Sequence, residues 1–476
     1  MAPMDPQTAS RLVHIPLEVL TRITYFISTV DLGNIRLTCK AIEGSLFSFF
    51  SHEFFRKKQF MVSTDSLQAL IDISKHPTLS PCLKHVIIGT DRLWGSPVQQ
   101  VDDGPKKLAE LALADRMHLL ATGGLKDMLV EAFANLANLE TVDIRDFGSR
   151  SRSRDGLGVA WSSYGANTLS QSTGMTVTAN AFTNEDPYPT QIFSAVVCAL
   201  AVAEARPNSI EVLLRNGRGW SAWGLQDAAF LITPRMELPT TQLLSGLRSL
   251  HLALTDHSTF NNQRKPFMVQ MFLSLAPNLT WLRLNWAEHA NRSGSYPLLP
   301  WLALKDTEKS DSLTDMPPIQ LRHLERLDLG NITMTPHTLL KLVSKFSPSL
   351  SWLSLRRVAL KGSENEGREK INPWSGTLTK LARVSGSSLR KVELSLLSHA
   401  MFNGWKGQIR FRRDGDEKAA FHALQGDWMC ETSVLTLETA TAEAVNHMEV
   451  EWPPEPVGMD KTLHILKPVC LFGRRG

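Results

Sequence analysis

Leu324-Glu325-Arg326-Leu327-Asp328-Leu329 is followed by Leu350-Ser351-Trp352-Leu353-Ser354-Leu355, a second Leu-x-x-Leu-x-Leu pattern that starts 26 residues after the first. The last two leucines of each copy are two apart, so in an extended chain they point to one side and their neighbours to the other. Each copy therefore reads as a short strand with one buried face. The pattern returns with aliphatic substitutions at Leu83/Val86/Ile88, Leu139/Val142/Ile144, Leu247/Leu250/Leu252, Leu279/Leu282/Leu284 and Leu389/Val392/Leu394, with a weaker copy at 210–214. Between the copies, 128–137, 192–204, 267–276, 339–346 and 378–384 carry apolar residues at spacings of three and four, the mark of helices with one buried stripe.

This alternation resembles the leucine-rich repeat family, in which no unit buries its face alone but stacked units share a continuous core. The resemblance implies an α/β solenoid with a parallel sheet over 59–400. The copies starting at 247 and 279 are 32 apart, those at 279 and 324 are 45 apart, and those at 83 and 139 are 56 apart. The asparagine that usually follows the motif is also missing, so the array is irregular and carries insertions. An all-helical stack with incidental strands is the competing fold. Loops are expected at 145–190, 287–318 and 361–376, rich in Gly, Ser and charge. Arg150-Ser151-Arg152-Ser153-Arg154 reads as a solvated loop, with a basic or phosphorylatable docking element as the alternative. After Ser398 the pattern fades, and 401–476, with Trp405, Trp428 and Trp452 and β-prone pieces at 409–413 and 434–437, reads as a terminal cap.

Residues 1–10 read as a flexible N-terminus and 11–58 as a small helical domain. Pro16 suits a first helical turn and Glu18 favours the helix start. Val19, Leu20, Ile23, Phe26 and Ile27 then follow helical spacing, and Asp31 is the expected N-cap of a second helix carrying Leu32, Ile35 and Cys39. So small a unit cannot hide all its apolar surface. Ile15-Pro16-Leu17-Glu18 through Cys39-Lys40 resembles an F-box, with isoleucine at 15 where many F-boxes have leucine. The resemblance implies docking on a Skp-family adaptor, and through it on a cullin-RING ubiquitin ligase. Ile15, Pro16, Leu20, Ile23, Leu32, Ile35 and Cys39 are the contacts it carries over. A hairpin packed wholly against its own domain is the alternative.

The balance of 51 Lys+Arg against 47 Asp+Glu argues against nucleic acid and anionic membranes as partners. Five scattered cysteines form no Cys-x-x-Cys pair, which fits reduced thiols in a cytoplasmic or nuclear protein. No signal-type segment or 18-residue apolar run is found, and the three Asn-x-Ser/Thr sequons, at Asn278, Asn291 and Asn331, read as chance.

No acid, base, nucleophile or metal-ligand set stands out, and no cofactor is expected. Gly219-Trp220-Ser221-Ala222-Trp223-Gly224 places its second glycine one residue too late for a nucleophile elbow. A binding face is easier to read, because residues interleaved with the buried strand positions face outward together. Trp281, Arg283, Arg326, Asp328, Trp352 and Arg356 are the candidates for contact with a target protein, tryptophan and arginine being the residue types that dominate interfaces. Arg283, Arg326 and Arg356 would read a phosphorylated target if they clustered. The expected function is substrate recognition within a ubiquitin ligase, without catalysis by the chain itself; the alternatives are a scaffold that directs no ubiquitination and an enzyme with an unrecognised site.

Overall fold

The computed structural model describes residues 11–94, 103–149, 153–155, 161–178, 187–215, 224–255, 267–287, 298–305, 316–361, 372–400, 406–411, 427–431 and 437–451. Residues 1–10, most of the 361–376 loop, most of the Gly219–Gly224 turn, Asn291, Trp405 and Trp452 lie outside them. Three helices open the described chain: α1 (Leu17–Thr24), α2 (Thr29–Arg36) and α3 (Lys40–Phe55).

Nine parallel strands follow in one sheet and a tenth closes it antiparallel: β1 (Lys57–Met61), β2 (His85–Gly89), β3 (Thr141–Arg145), β4 (Ser209–Leu213), β5 (Ser249–Leu254), β6 (Trp281–Trp286), β7 (Arg326–Gly330), β8 (Trp352–Arg356), β9 (Lys391–Ser395) and β10 (Asp427–Glu431). Spatial order equals chain order. The fold is mixed α/β, so the all-helical alternative is set aside.

The aliphatic pattern sets the register. Val86 pairs with Val142, then Ile210, Leu250, Leu282, Leu327, Leu353 and Val392, one residue per strand in an unbroken row. Every member of that row is buried. Each such side chain contributes about 2 kcal/mol of hydrophobic stabilisation, and a one-residue slip would turn the whole row to solvent. Helices Thr64–Lys75, Gly124–Phe133, Tyr188–Val202 and Glu237–Gly246 pack neighbour on neighbour in chain order, and their apolar residues complete the same core.

The expected boundaries at 58 and 400 do not coincide with breaks in this sheet. Only Arg56 separates α3 from β1, and its carbonyl already accepts hydrogen bonds from the amides of Lys84 and His85 at 3.0 Å each. Past residue 400, β10 lies beside β9, and Lys406–Phe411 and Met448–Glu451 extend a second, five-stranded sheet begun by Thr333–Met334, Ala359–Lys361 and Ser398–Ala400. Of the two β-prone pieces expected there, 409–411 fall in the strand Lys406–Phe411 and 412–413 lie outside the described residues, whereas Leu437 opens a helix and 434–436 lie outside them too.

Three parallel strands reach the second sheet through the same turn. Asn331, Arg357 and Leu396 each follow the last residue of β7, β8 or β9 with φ near +54°, a left-handed conformation. The Asn331 amide bonds the Arg356 carbonyl at 2.9 Å, and the Arg357 amide bonds the Ser395 carbonyl at 2.8 Å. The next residues, Ile332, Val358 and Leu397, are buried where an asparagine was absent from the pattern. An apolar anchor followed by a second strand replaces it.

Candidate functional site

Two surfaces and one cavity collect the side chains of interest. In the N-terminal helices, Leu20 and Leu32 are buried with Ile42, Leu46 and Phe54 in a core of the unit's own. This corrects the expectation that both face a partner. Ile15, Ile23 and Ile35 are half-buried, while Pro16 and Cys39 are exposed. The expected stripe splits: Leu20 is buried, Ile27 packs half-buried on that core, Ile23 is half-buried, and Val19 and Phe26 are exposed. The apolar surface left open includes Leu17, Val19, Phe26 (76% exposed), Val30 (71%) and Leu37 (85%).

The second helix starts earlier than expected. Ser28, not Asp31, is the N-cap: its hydroxyl accepts from the Asp31 amide at 3.1 Å and donates to the Asp31 carboxylate at 2.7 Å. Asp31 thus lies in the first turn of the helix, where its carboxylate suits the positive helix start. Arg36 lies over the Phe50 ring at 3.4 Å, and burial pushes its guanidinium pKa down, opposed by Glu43.

The arginine-serine run, expected as a solvated loop, holds this unit in place through its last residue. Arg154, with only 4% of its side chain exposed, donates to the Glu53 carboxylate through Nε at 2.8 Å and Nη2 at 2.6 Å. It also donates to the Thr24 carbonyl at 2.6 Å. Asp155 accepts from the amide and hydroxyl of Thr29 at 3.0 and 2.8 Å, at the start of α2. Nothing local in the sequence signals these bonds, since their partners lie more than a hundred residues away.

The second surface is the face of the sheet opposite the aliphatic row. The Arg326 guanidinium sits 4.1 Å from the Trp281 ring and 3.5 Å from the Trp352 ring, with one indole from the strand on either side. Lys391 continues the stack 3.7 Å from Trp352. Asp328 beneath accepts from Arg326 at 2.8 and 3.0 Å and from the Trp281 indole N–H at 3.1 Å. The expected target-contact residues are therefore brought together on one face, but not all equally open. Asp328 is buried, the tryptophans, Arg283 and Arg326 are half-buried, and Arg356 is exposed. Arg326 is fully engaged, so the three arginines do not form the common phosphate clamp that clustering would have given.

Towards β1 the same face turns polar and closed. Asp143 is fully buried beside Arg145, with His85 Nε2 at 3.4 Å. His251 Nδ1 lies 3.7 Å from Glu211, and its ring meets Trp281 edge-on at 4.3 Å. Burial works against the Glu211 carboxylate, yet His251, reinforced by His85 and the Ser209 hydroxyl, outweighs it and holds this carboxyl down at about 2.

The cavity, about 1370 Å³, opens beside β1 and is walled by helices Asp103–Thr122 and Ala166–Thr173. Leu108, Leu111 and Leu113 line it, and Asp91 and Ser163 sit at its floor. Burial pushes the Asp91 carboxyl up, while the Ser163 hydroxyl, hydrogen-bonded to it, partly offsets the rise. An acid held towards its neutral form is a poor base for that serine. Among the described residues, no group of three or more His, Cys, Asp or Glu is placed to hold a metal ion. The helix at 103–122 was legible in Leu108-Ala109-Glu110-Leu111-Ala112-Leu113-Ala114, a run of strong helix formers.

Compared with the known protein families and with curated proteins, the chain matches none.

Proposed function

We propose that the chain is a non-catalytic substrate-recognition subunit of a ubiquitin ligase of the Skp–cullin–F-box type. In this reading, residues 11–58 hold an F-box that docks on a Skp-family adaptor, and the strands and helices form an irregular leucine-rich-repeat solenoid whose open sheet face captures a target protein. One observation carries the proposal: a three-helix unit with its own filled core still leaves Leu17, Val19, Phe26, Val30 and Leu37 open to solvent. Several large apolar side chains on so small a unit favour a protein partner.

The rest of the architecture suits the role. Arg154 and Asp155 bond the helices of the docking unit to a later segment of the chain, which would steady that unit while a target occupies the sheet. Such an adaptor works by raising the effective concentration of target lysines near a charged conjugating enzyme, without bond chemistry of its own. The assembly would act in the cytoplasm or nucleus. No helix among the described residues is long and apolar enough to cross a membrane.

The test is co-purification of the full chain with a Skp-family adaptor, beside a Phe26→Asp/Leu37→Asp variant. Both positions are exposed, so circular dichroism should show an unchanged fold. Adaptor retained by the intact chain and lost by the variant is the expected result. No retention by the intact chain overturns the proposal.

A further inference from the structure

Among the described residues, the face of β6 to β9 opposite the aliphatic row carries an excess of positive charge with a defined spacing. Its outward positions hold four cations, Arg283, Arg326, Arg356 and Lys391, against two carboxylates, Asp328 and Glu393. Both carboxylates are taken: Asp328 by Arg326 at 2.8 Å, and Glu393 by Lys391 at 3.4 Å. Arg283 and Arg356 are left, and neither has an ion-pair partner among the described residues.

Register fixes how far apart they stand. Arg283 is level with Asp328, which is level with Ser354, and Arg356 lies two residues further along β8. Two strand spacings across and two residues along place the two backbone positions about 12 Å apart. An extended peptide rises about 3.3 Å per residue, so side chains three to four residues apart span about 10–13 Å. The paired Asp328 lies between the two arginines, so the centre of the span is not purely cationic. Two separate carboxylates fit the spacing better than one phosphate.

The neighbouring ridge supplies the apolar part. Trp281, Arg326 and Trp352 are already stacked, so little side-chain freedom remains to be lost when a partner lies along them. The Trp352 indole N–H is shielded from solvent and has no acceptor among the described residues.

We infer that this face binds an extended, carboxylate-rich peptide segment, with acidic residues three to four apart reaching Arg283 and Arg356. The inference rests on the reading of the sheet as the target-capture surface and names the chemistry of its target.

The probe is a fluorescein-labelled Gly/Ser peptide with glutamate at every third position, titrated with the full chain and read by fluorescence anisotropy at low salt. A lysine-for-glutamate peptide and a single-phosphoserine peptide serve as comparisons. Saturable binding of the glutamate peptide is expected, weakened at least tenfold in Arg283→Ala/Arg356→Ala. It should be unchanged in Arg235→Ala/Arg322→Ala, which removes two exposed arginines outside these strands. Absence of saturable binding overturns the inference, as does equal loss in both double variants or tenfold tighter binding of the phosphoserine peptide. Adaptor co-purification is scored separately. Failure of the peptide alone leaves the ligase reading standing, and failure of the adaptor alone leaves a carboxylate-binding scaffold.

Discussion

Arg154 meets Glu53 in a two-pronged ion pair, 2.8 and 2.6 Å, across 101 residues of chain. The same guanidinium bonds the carbonyl that ends α1, so one side chain joins the first and third helices. Removing it strands Glu53 without its partner and leaves a carbonyl unpaired. Arg154→Ala should cost about 3 kcal/mol, since breaking a shielded pair from one side costs more than the pair is worth. Urea denaturation measures the loss, and hydrogen exchange should rise in residues 17–55 before it rises in the sheet.

Core and surface leucines should separate cleanly. Leu353, fully buried in the aliphatic row, should cost about 3 kcal/mol on replacement by alanine, the transfer and cavity terms acting together. Leu37→Ala, at an exposed position, should stay within about 0.5 kcal/mol. Chemical denaturation of both variants checks the pair. A large loss at Leu37 in the isolated chain would mean that this residue is structural rather than available for docking.

Glu204 occupies the left-handed position just after helix Tyr188–Val202, with φ of 52°. The Ala205 amide returns to the Leu200 carbonyl and the Glu204 amide to that of Ala201, the hydrogen-bond pattern of a helix end that favours glycine. Glu204→Gly should stabilise the protein by about 0.5–1 kcal/mol, relief of the left-handed strain exceeding the added freedom of the unfolded chain. A higher melting temperature is the expected readout.

The Glu211 carboxyl ionises at about 2 in the folded chain against an ordinary value of 4.5. A folded value below the unfolded one adds stability that is fully present above about pH 4.5 and lost as pH falls through about 2. Since His251 stands at ion-pair rather than hydrogen-bond distance, the contribution is on the order of 2–3 kcal/mol. Stability measured from pH 5 down to 2 should fall, and Glu211→Gln should flatten that slope.

Much of the sheet was legible because its signal is local and repeated: an aliphatic pair two apart predicts a strand wherever it occurs. β1 was missed because Lys58 stands level with Val86, so the first strand lacks the pair that marks the others. In the helical unit the apolar positions were read correctly but their directions were not. Consecutive residues such as Val19 and Leu20 point about 100° apart on a helix, so one is buried and its neighbour is not. Position 31 was read as a cap because aspartate suits one, yet Ser28 three residues earlier caps the helix by accepting from the Asp31 amide itself. On the candidate site, the tryptophans and arginines were visible as types in register. The partnership of Arg326 with Asp328 was not, because composition alone does not say which of several cations a carboxylate takes. Arg154 and Asp155 were beyond reach for the same reason, compounded by distance along the chain.

The junction at Arg56 bears on how this sheet avoids growing. A row of unpaired amides and carbonyls at a sheet's margin is a template for another chain to add to, and the margin here is β1. Lys57 and Lys58 place charge there, and the Tyr164 amide already bonds the Gln59 carbonyl at 2.8 Å. At the opposite end an antiparallel strand ends the parallel run. A chain trimmed at residue 61 to isolate the rest of the sheet would lose the guard along with the helices. It would present Val86-Ile87-Ile88 as a bare apolar edge, prone to self-association and fibril-like stacking.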